Sequence, residues 1–174
     1  MDSTPPQPDL DWCHDAVQGV SRTFAVTVDV LEEPMSSQIC LGYLLCRVAD
    51  TVEDAGHIPP AAQVKLLEQY DAALDPERAA TMAIFREEVD EWLPVPDNRS
   101  EDWRVVANAG TIWATFREQS DTVQMAVLPP VREMIDGMAM FIDRYADRGG
   151  LRIQDRAELD EYCYYAAGTV GILI

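Results

Sequence analysis

Lysine is almost absent from this 174-residue chain. Of its 13 basic residues only Lys65 is a lysine; the rest are arginine, and they face 31 acids, for a net charge of -18. With positive charge this scarce, the chain lacks the basic footprint of a nucleic-acid binder. It also lacks the polybasic patch that docks proteins on anionic membranes. Long hydrophobic runs are missing too. None reaches the roughly 18 residues of a membrane span, and the polar, Pro-rich N-terminus has no apolar stretch that would mark a secretory signal. Cysteine is sparse: Cys13, Cys40, Cys46 and Cys163 form no CxxC pair and no evident disulfide framework, which points to a reducing compartment. No zinc spacing, P-loop, dinucleotide fingerprint or nucleophile elbow occurs. His14 and His57 are isolated and receive neither a metal nor a catalytic role.

What remains is ample for one folded domain, or a piece of a larger one: 48% of the residues are apolar. The acids are scattered along the chain. Dispersed acid with almost no lysine is the pattern expected of a surface adapted to high salt, where self-repulsion is screened. An ordinary acidic cytosolic protein is the plainer alternative.

The punctuation is helical throughout. Residues 1–9, with Pro5, Pro6 and Pro8, read as a disordered lead-in. A first helix is expected over 11–19, then a helical or extended stretch to Leu31. Pro34 opens a long helix to about Ala55, stopped by Gly56 with Pro59 and Pro60 beyond. Further helices are expected over 61–74 and from Pro76 to near Leu93, before Pro94 and Pro96. Another runs from an N-cap at Ser100, with Glu101 and Asp102 in its first turn, to about Val127. Pro129 and Pro130 open the next, which Gly149 and Gly150 stop. A last helix starts near Asp155 and is still running at Ile174. The uncharged, uncapped end from Ala166 to Ile174 reads as a truncation, with a parent protein continuing. No strand alternation is sustained anywhere, so the fold class is all-α.

The helix after Pro34 carries the chemistry. Leu41, Leu44, Leu45, Val48 and Val52 form one core-facing stripe. Tyr43, Arg47, Asp50 and Asp54 form a second, with Glu53 at its edge. Carboxylates four residues apart on a helix repel when both are ionised. Arg47 offsets some of that. So would a divalent metal, and hard oxygen donors at this spacing suit Mg²⁺ shared with substrate phosphates. The alternative is a solvated face with internal ion pairs. Ser21, Arg22, Thr23 and Phe24 place a hydroxyl and a guanidinium beside an aromatic, and Arg22 suits a bidentate grip on phosphate; a helix N-cap with a surface arginine explains the same residues. Tyr162, Ala166, Thr169 and Leu173 share a face among small residues. That face suits either close helix packing or the wall of a channel for a long apolar ligand, with Tyr162 at its polar end. Met134, Met138, Phe141 and Tyr145 read as core.

These blocks carry a resemblance. Ser21 to Ala25 (SRTFA), Tyr43 to Asp54 (YLLCRVADTVED) and Tyr162 to Gly171 (YCYYAAGTVG) occur in the order found in squalene and phytoene synthases, and Gly137 to Phe141 (GMAMF) resembles the pattern before the third block. The resemblance runs from about Trp12 to the end. It implies the all-α isoprenoid synthase fold, of which residues 10–174 would be the N-terminal part. It implies head-to-head condensation of two allylic diphosphates through a cyclopropyl intermediate. Asp50 and Asp54, with Glu53 assisting, would hold Mg²⁺ against the diphosphate. Ser21, Arg22, Tyr43 and Arg47 would bind or orient that diphosphate, Phe24 would contact the prenyl chain, and Tyr162 would sit near the developing carbocation. Ala166 and Thr169 would line the substrate channel.

The DTVED form of the acidic motif resembles squalene synthases more than phytoene synthases. That favours farnesyl diphosphate as substrate and squalene as product, with NADPH for the final reduction; phytoene or dehydrosqualene formation needs none. Family chains run to about twice this length and carry a second aspartate-rich motif on a later helix, so the fragment alone is expected to be inactive or very weak. The expected location is the cytoplasm, with room for peripheral contact with a membrane because such products are apolar. A non-catalytic helical scaffold and an acidic bundle binding a divalent cation are the competing readings.

Overall fold

The computed structural model describes residues 7–78, 80–93 and 100–172. Among these there is no strand. Ten α-helices follow one another: α1 (Leu10–Val20), α2 (Arg22–Asp29), α3 (Met35–Glu53), α4 (Pro60–Ala73), α5 (Thr81–Asp90), α6 (Ser100–Ala107), α7 (Ala109–Phe116), α8 (Asp121–Tyr145), α9 (Arg156–Cys163) and α10 (Thr169–Ile172). Short 3₁₀ turns at Pro76–Arg78 and Ala146–Arg148 and a π turn at Tyr164–Gly168 complete the order.

The central element is α3. Leu41, Leu44, Leu45, Val48, Ala49 and Val52 are wholly buried, and α1, α2, α4, α6, α7 and α8 surround it. A helix apolar on most of its circumference can be stable only inside such a cage. Two polar groups on α4 finish its packing. The buried Tyr70 hydroxyl donates to Leu45 O at 3.0 Å, and the Gln63 amide donates to Val52 O at 2.9 Å and Glu53 O at 2.7 Å. The latter adds a side-chain donor to carbonyls at the helix end, where intrahelical partners run out, and ties the last turn of α3 to α4. A bidentate pair, Arg132 Nε and Nη2 to Asp71 at 2.7 and 2.8 Å, ties α8 to α4.

Four expectations need correction. The helix from Ser100 does not run to Val127. It ends at Ala107, where Asn108 leaves helical geometry and its side-chain amide donates to Arg104 O; α7 then stops at Phe116. Pro129 and Pro130 do not open a helix but lie inside α8, which starts at Asp121 behind the Ser120 cap. The carbonyls those prolines leave without amide partners belong to Met125 and Ala126, both exposed residues, so solvent is within reach of them. The helix from Asp155 does not continue unbroken to Ile174 but passes through the π turn. Nor does Pro76 open a helix to Leu93: it starts the 3₁₀ turn Pro76–Arg78, and α5 spans Thr81–Asp90. Elsewhere the punctuation holds. Gly149 and Gly150 stop the chain with φ of 73° and 109°, values that side chains rarely adopt. Asp155 caps α9 through Glu158 N. Asp9, at the end of the expected lead-in, caps α1 and donates its own N–H to Thr115 Oγ1 at 2.9 Å. Pro5, Pro6, Pro94, Pro96, Leu173 and Ile174 lie outside the described residues, as does the side chain of Ser100.

Among the described residues no helix is long and apolar enough to cross a membrane. All four cysteines are free; burial pushes the thiols of Cys13 up to about 11 and of Cys40 and Cys46 up to about 12, so these three act as core. With a net charge of -18 the folded state repels itself. Raising KCl from dilute buffer to molar levels is therefore expected to lift the melting temperature by about 5 °C, read by circular dichroism. A flat or falling curve would contradict that.

Candidate functional site

The polar face of α3 opens on an apolar trough walled by α2, α8 and α10. Ser21 ends α1 and begins α2. Its backbone is extended and its hydroxyl accepts the Phe24 N–H at 3.3 Å, so it caps α2. This abrupt turn lays α2 back on α3 and stacks Phe24 on Tyr43, ring centroids 4.1 Å apart and planes 19° from parallel. Phe24, Gln38, Ile39, Gly42, Tyr43, Val127 and Val170 line the apolar end of the trough. Tyr43, Cys46, Arg47, Asp50, Met134, Ala166 and Val170 line the adjoining polar end. Tyr43 and Val170 belong to both, so the two ends share walls.

At the polar end, Arg47 is gripped from two sides. Its Nη1 donates to Asp50 Oδ2 at 2.7 Å and its Nη2 to Asp102 Oδ1, on α6, at 2.8 Å. Burial alone would lower its pKa; the bond to Asp102 and that residue's charge, followed by Tyr43 and Asp50, more than offset this and raise it. Glu53 is pushed up to about 7, chiefly by burial and further by the charges of Asp54 and Asp50, although the Tyr162 hydroxyl donates to its Oε1 at 3.1 Å and works the other way. Burial also raises Asp50, with Arg47 opposing and Asp54 adding. The Tyr162 phenol moves well above its ordinary value, by burial and then by Glu53. It therefore keeps its proton and works as a hydrogen-bond donor.

This is an arrangement short of positive charge. Asp50, Glu53 and Asp54 crowd the C-terminal turn of α3, where the helix dipole is negative, and no basic residue stands in that turn. Two carboxylates, Asp50 and Asp102, share Arg47. Asp54 adds to the raised pKa of both Asp50 and Glu53, and hard oxygen donors crowded in this way fit a divalent cation. Among the described residues no three acidic, histidine or cysteine side chains converge into a closed metal site. The fit is thus to Mg²⁺ held by one or two carboxylates, with the rest of its shell supplied by water and phosphate oxygens.

The other expected residues are distributed unevenly. Arg22 is exposed on the first turn of α2, and Asp54 is exposed at the end of α3. Ala166 faces the trough, but Thr169 does not line it: its side chain is buried and its hydroxyl donates to Tyr165 O at 2.9 Å. The π turn explains this. The Thr169 N–H reaches five residues back to Tyr164 O, which inserts an extra residue into the helical repeat. The face that starts at Tyr162 and Ala166 then continues at Val170. Gly137 on α8 makes room for this segment, since a Cβ there would lie 2.2 Å from Tyr165 Cγ. Phe141, one turn on, meets the Tyr162 ring edge-on at 5.3 Å and seats it. Sequence reading alone did not bring in Asp102, Gln38, Ile39, Gly42, Val127 or Val170. Asp102 was legible only as an acid in a helix first turn, and nothing local tied it to Arg47.

The model of one protein family, squalene/phytoene synthase, matches residues 17–174. The chain belongs to that family. It is 32% identical over 173 residues to the squalene synthase of Eremothecium gossypii, covering 98% of this chain and 36% of that protein. To the squalene synthase of Bos taurus it is 28% identical over 173 residues, covering 99% of this chain and 36% of that protein. A solved structure of TcSQS with a ligand superposes with a TM-score of 0.73 at 25% identity, over 94% of this chain and 43% of that one. The chain thus spans about a third of the length of the curated relatives it matches, and its helices follow the squalene synthase fold.

Proposed function

We propose that this chain provides the diphosphate-binding wall and part of the prenyl channel of a head-to-head prenyl synthase, which joins two farnesyl diphosphates through presqualene diphosphate to squalene. The observation that carries this reading is the continuity of the trough: a charged end at Arg47 and Asp50 adjoins an apolar end at Phe24, Tyr43 and Val127. An allylic diphosphate has that polarity, an anionic head on a long apolar tail. The family match and the squalene synthase relatives support it.

In this reading Asp50 and Asp54, with Glu53, hold Mg²⁺, which when bound neutralises the leaving diphosphate. Arg47 binds the diphosphate, with Ser21, Arg22 and Tyr43 assisting. Ionisation breaks the allylic C–O bond, and preorganised positive charge at the oxygen that departs is the main source of rate. Phe24, Val127 and Val170 exclude water from the cation that forms, and Tyr162 and Ala166 stand near it. For NADPH the described residues offer no identifiable site: no dinucleotide fingerprint occurs, and the trough has one cation, Arg47, which this reading gives to the diphosphate. No step is assigned through it. A dehydrosqualene or phytoene product, which needs no reductant, is the second reading. The apolar products favour peripheral contact with a membrane.

The test compares inorganic pyrophosphate with farnesyl diphosphate by calorimetric titration in Mg²⁺ and high salt. Farnesyl diphosphate is expected to bind at least tenfold more tightly, since each buried methylene adds about 0.8 kcal/mol. Asp50→Asn should weaken both ligands and Phe24→Ala only the prenyl one. Equal affinity for the two ligands, or binding indifferent to Mg²⁺, would sink the reading. Product extraction with and without NADPH then separates squalene from its unreduced relatives.

A further inference from the structure

Arg47 reaches across the bundle to a partner 55 positions away, and that partner is not part of the acidic motif. Asp50 takes Nη1 and Asp102 takes Nη2, so the guanidinium bridges α3 and α6. Its Nε is buried with no hydrogen-bond partner. The side chains of Arg47 and Asp102 are each about a quarter exposed, against two-fifths for Asp50. The bond to Asp102 is thus the better shielded of the two, and a charge-assisted bond shielded from water is the stronger one. Asp102 also stands in the first turn of α6, where the helix dipole favours a carboxylate. Trp103, the next residue on α6, is almost fully buried and anchors that turn in the core.

We propose that Asp102 is the positioning residue of Arg47: it holds the guanidinium in place independently of Asp50, so that Arg47 keeps its aim when the charge of Asp50 is engaged by a cation. This rests on the reading of Arg47 and Asp50 as the diphosphate end of the trough. The physical need is plain. A carboxylate whose charge is shared with a metal holds the arginine less strongly than it does without the metal. Without a second anchor, a long side chain with several rotatable bonds would be released when the ligand arrives, and its rotamer entropy would oppose binding. An anchor on another helix removes that competition.

The test uses the 174-residue chain labelled with ¹⁵N. Hydrogen exchange of the Arg47 guanidinium is followed by NMR in the parent chain, in Asp102→Asn, in Asp102→Glu and in Asp50→Asn. Folding of each is checked by helical circular dichroism. Slow exchange is expected in the parent and in Asp50→Asn, and exchange roughly tenfold faster in Asp102→Asn, the scale of one lost charge-assisted bond. Asp102→Glu, which keeps the carboxylate, should recover most of the protection and guards against a fold defect in the amide. Titration of inorganic pyrophosphate with Mg²⁺ is the second measurement, expected to weaken roughly tenfold in Asp102→Asn. Unchanged Arg47 exchange in Asp102→Asn, or its loss in Asp50→Asn instead, overturns the proposal. A parent chain that shows the exchange pattern but binds no pyrophosphate upholds the anchor and overturns the ligand reading on which its purpose rests.

Discussion

Gly137→Ala is expected to destabilise the chain by about 2 to 3 kcal/mol, the cost of forcing extra volume into a packed contact. The sign is diagnostic. In a helix interior, Gly to Ala ordinarily stabilises by about 1 kcal/mol. At Gly137 the new methyl would fall 2.2 Å from Cγ, 2.4 Å from Cδ1 and 2.5 Å from Cβ of Tyr165. Those atoms lie near the backbone, so no swing of a flexible tip relieves the clash; the π turn itself must move. Tyr162 would move with it, losing its seat on Phe141 and its bond to Glu53. Gly42→Ala is the matched control. Its methyl meets Val127 Cγ1 at 3.7 Å, an ordinary contact, and it should be neutral or gain up to about 1 kcal/mol. Urea denaturation of both variants decides the matter, and equal midpoints would refute the close approach.

The second large effect is on pH dependence. A carboxyl whose folded pKa is raised favours its protonated form in the native state. Glu53 is raised from 4.5 to about 7, so below 4.5 it contributes nothing to the pH slope. Between 4.5 and about 7 the unfolded chain gives up the proton while the folded chain keeps it, and stability falls as pH rises. Above that window the loss is complete, on the order of 2 to 3 kcal/mol. Denaturation from pH 5 to 8 in 1 M KCl, which screens the general acidity, should show this slope in the parent chain and a much flatter one in Glu53→Gln. Mg²⁺ with pyrophosphate should recover stability at pH 8 in the parent, because a cation at the site favours the ionised carboxylates. Parallel slopes in the two chains would show that Glu53 does not carry the effect.

Much of this molecule was legible one residue at a time. Helix starts and stops are local events, so Gly149, Gly150, Asp155 and the boundaries of α1, α3 and α4 followed from caps and breakers. The stripe of Leu41, Leu44, Leu45, Val48 and Val52 declared its burial by spacing alone, and the acids of the α3 terminus declared a shortage of positive charge. The prolines of α8 misled, because a proline costs little where its freed carbonyls face water, and exposure is not local information. The same holds for the last segment. An ideal helix puts Thr169 on the face of Tyr162, but close packing of Tyr165 on Gly137 accompanies an extra residue in the turn and brings Val170 to the trough. Asp102 illustrates the limit most sharply: its partner lies 55 positions away. Periodicity reports which face of a helix is apolar. Which faces meet, and which charge on one helix holds a charge on another, depends on the packing of all the helices at once.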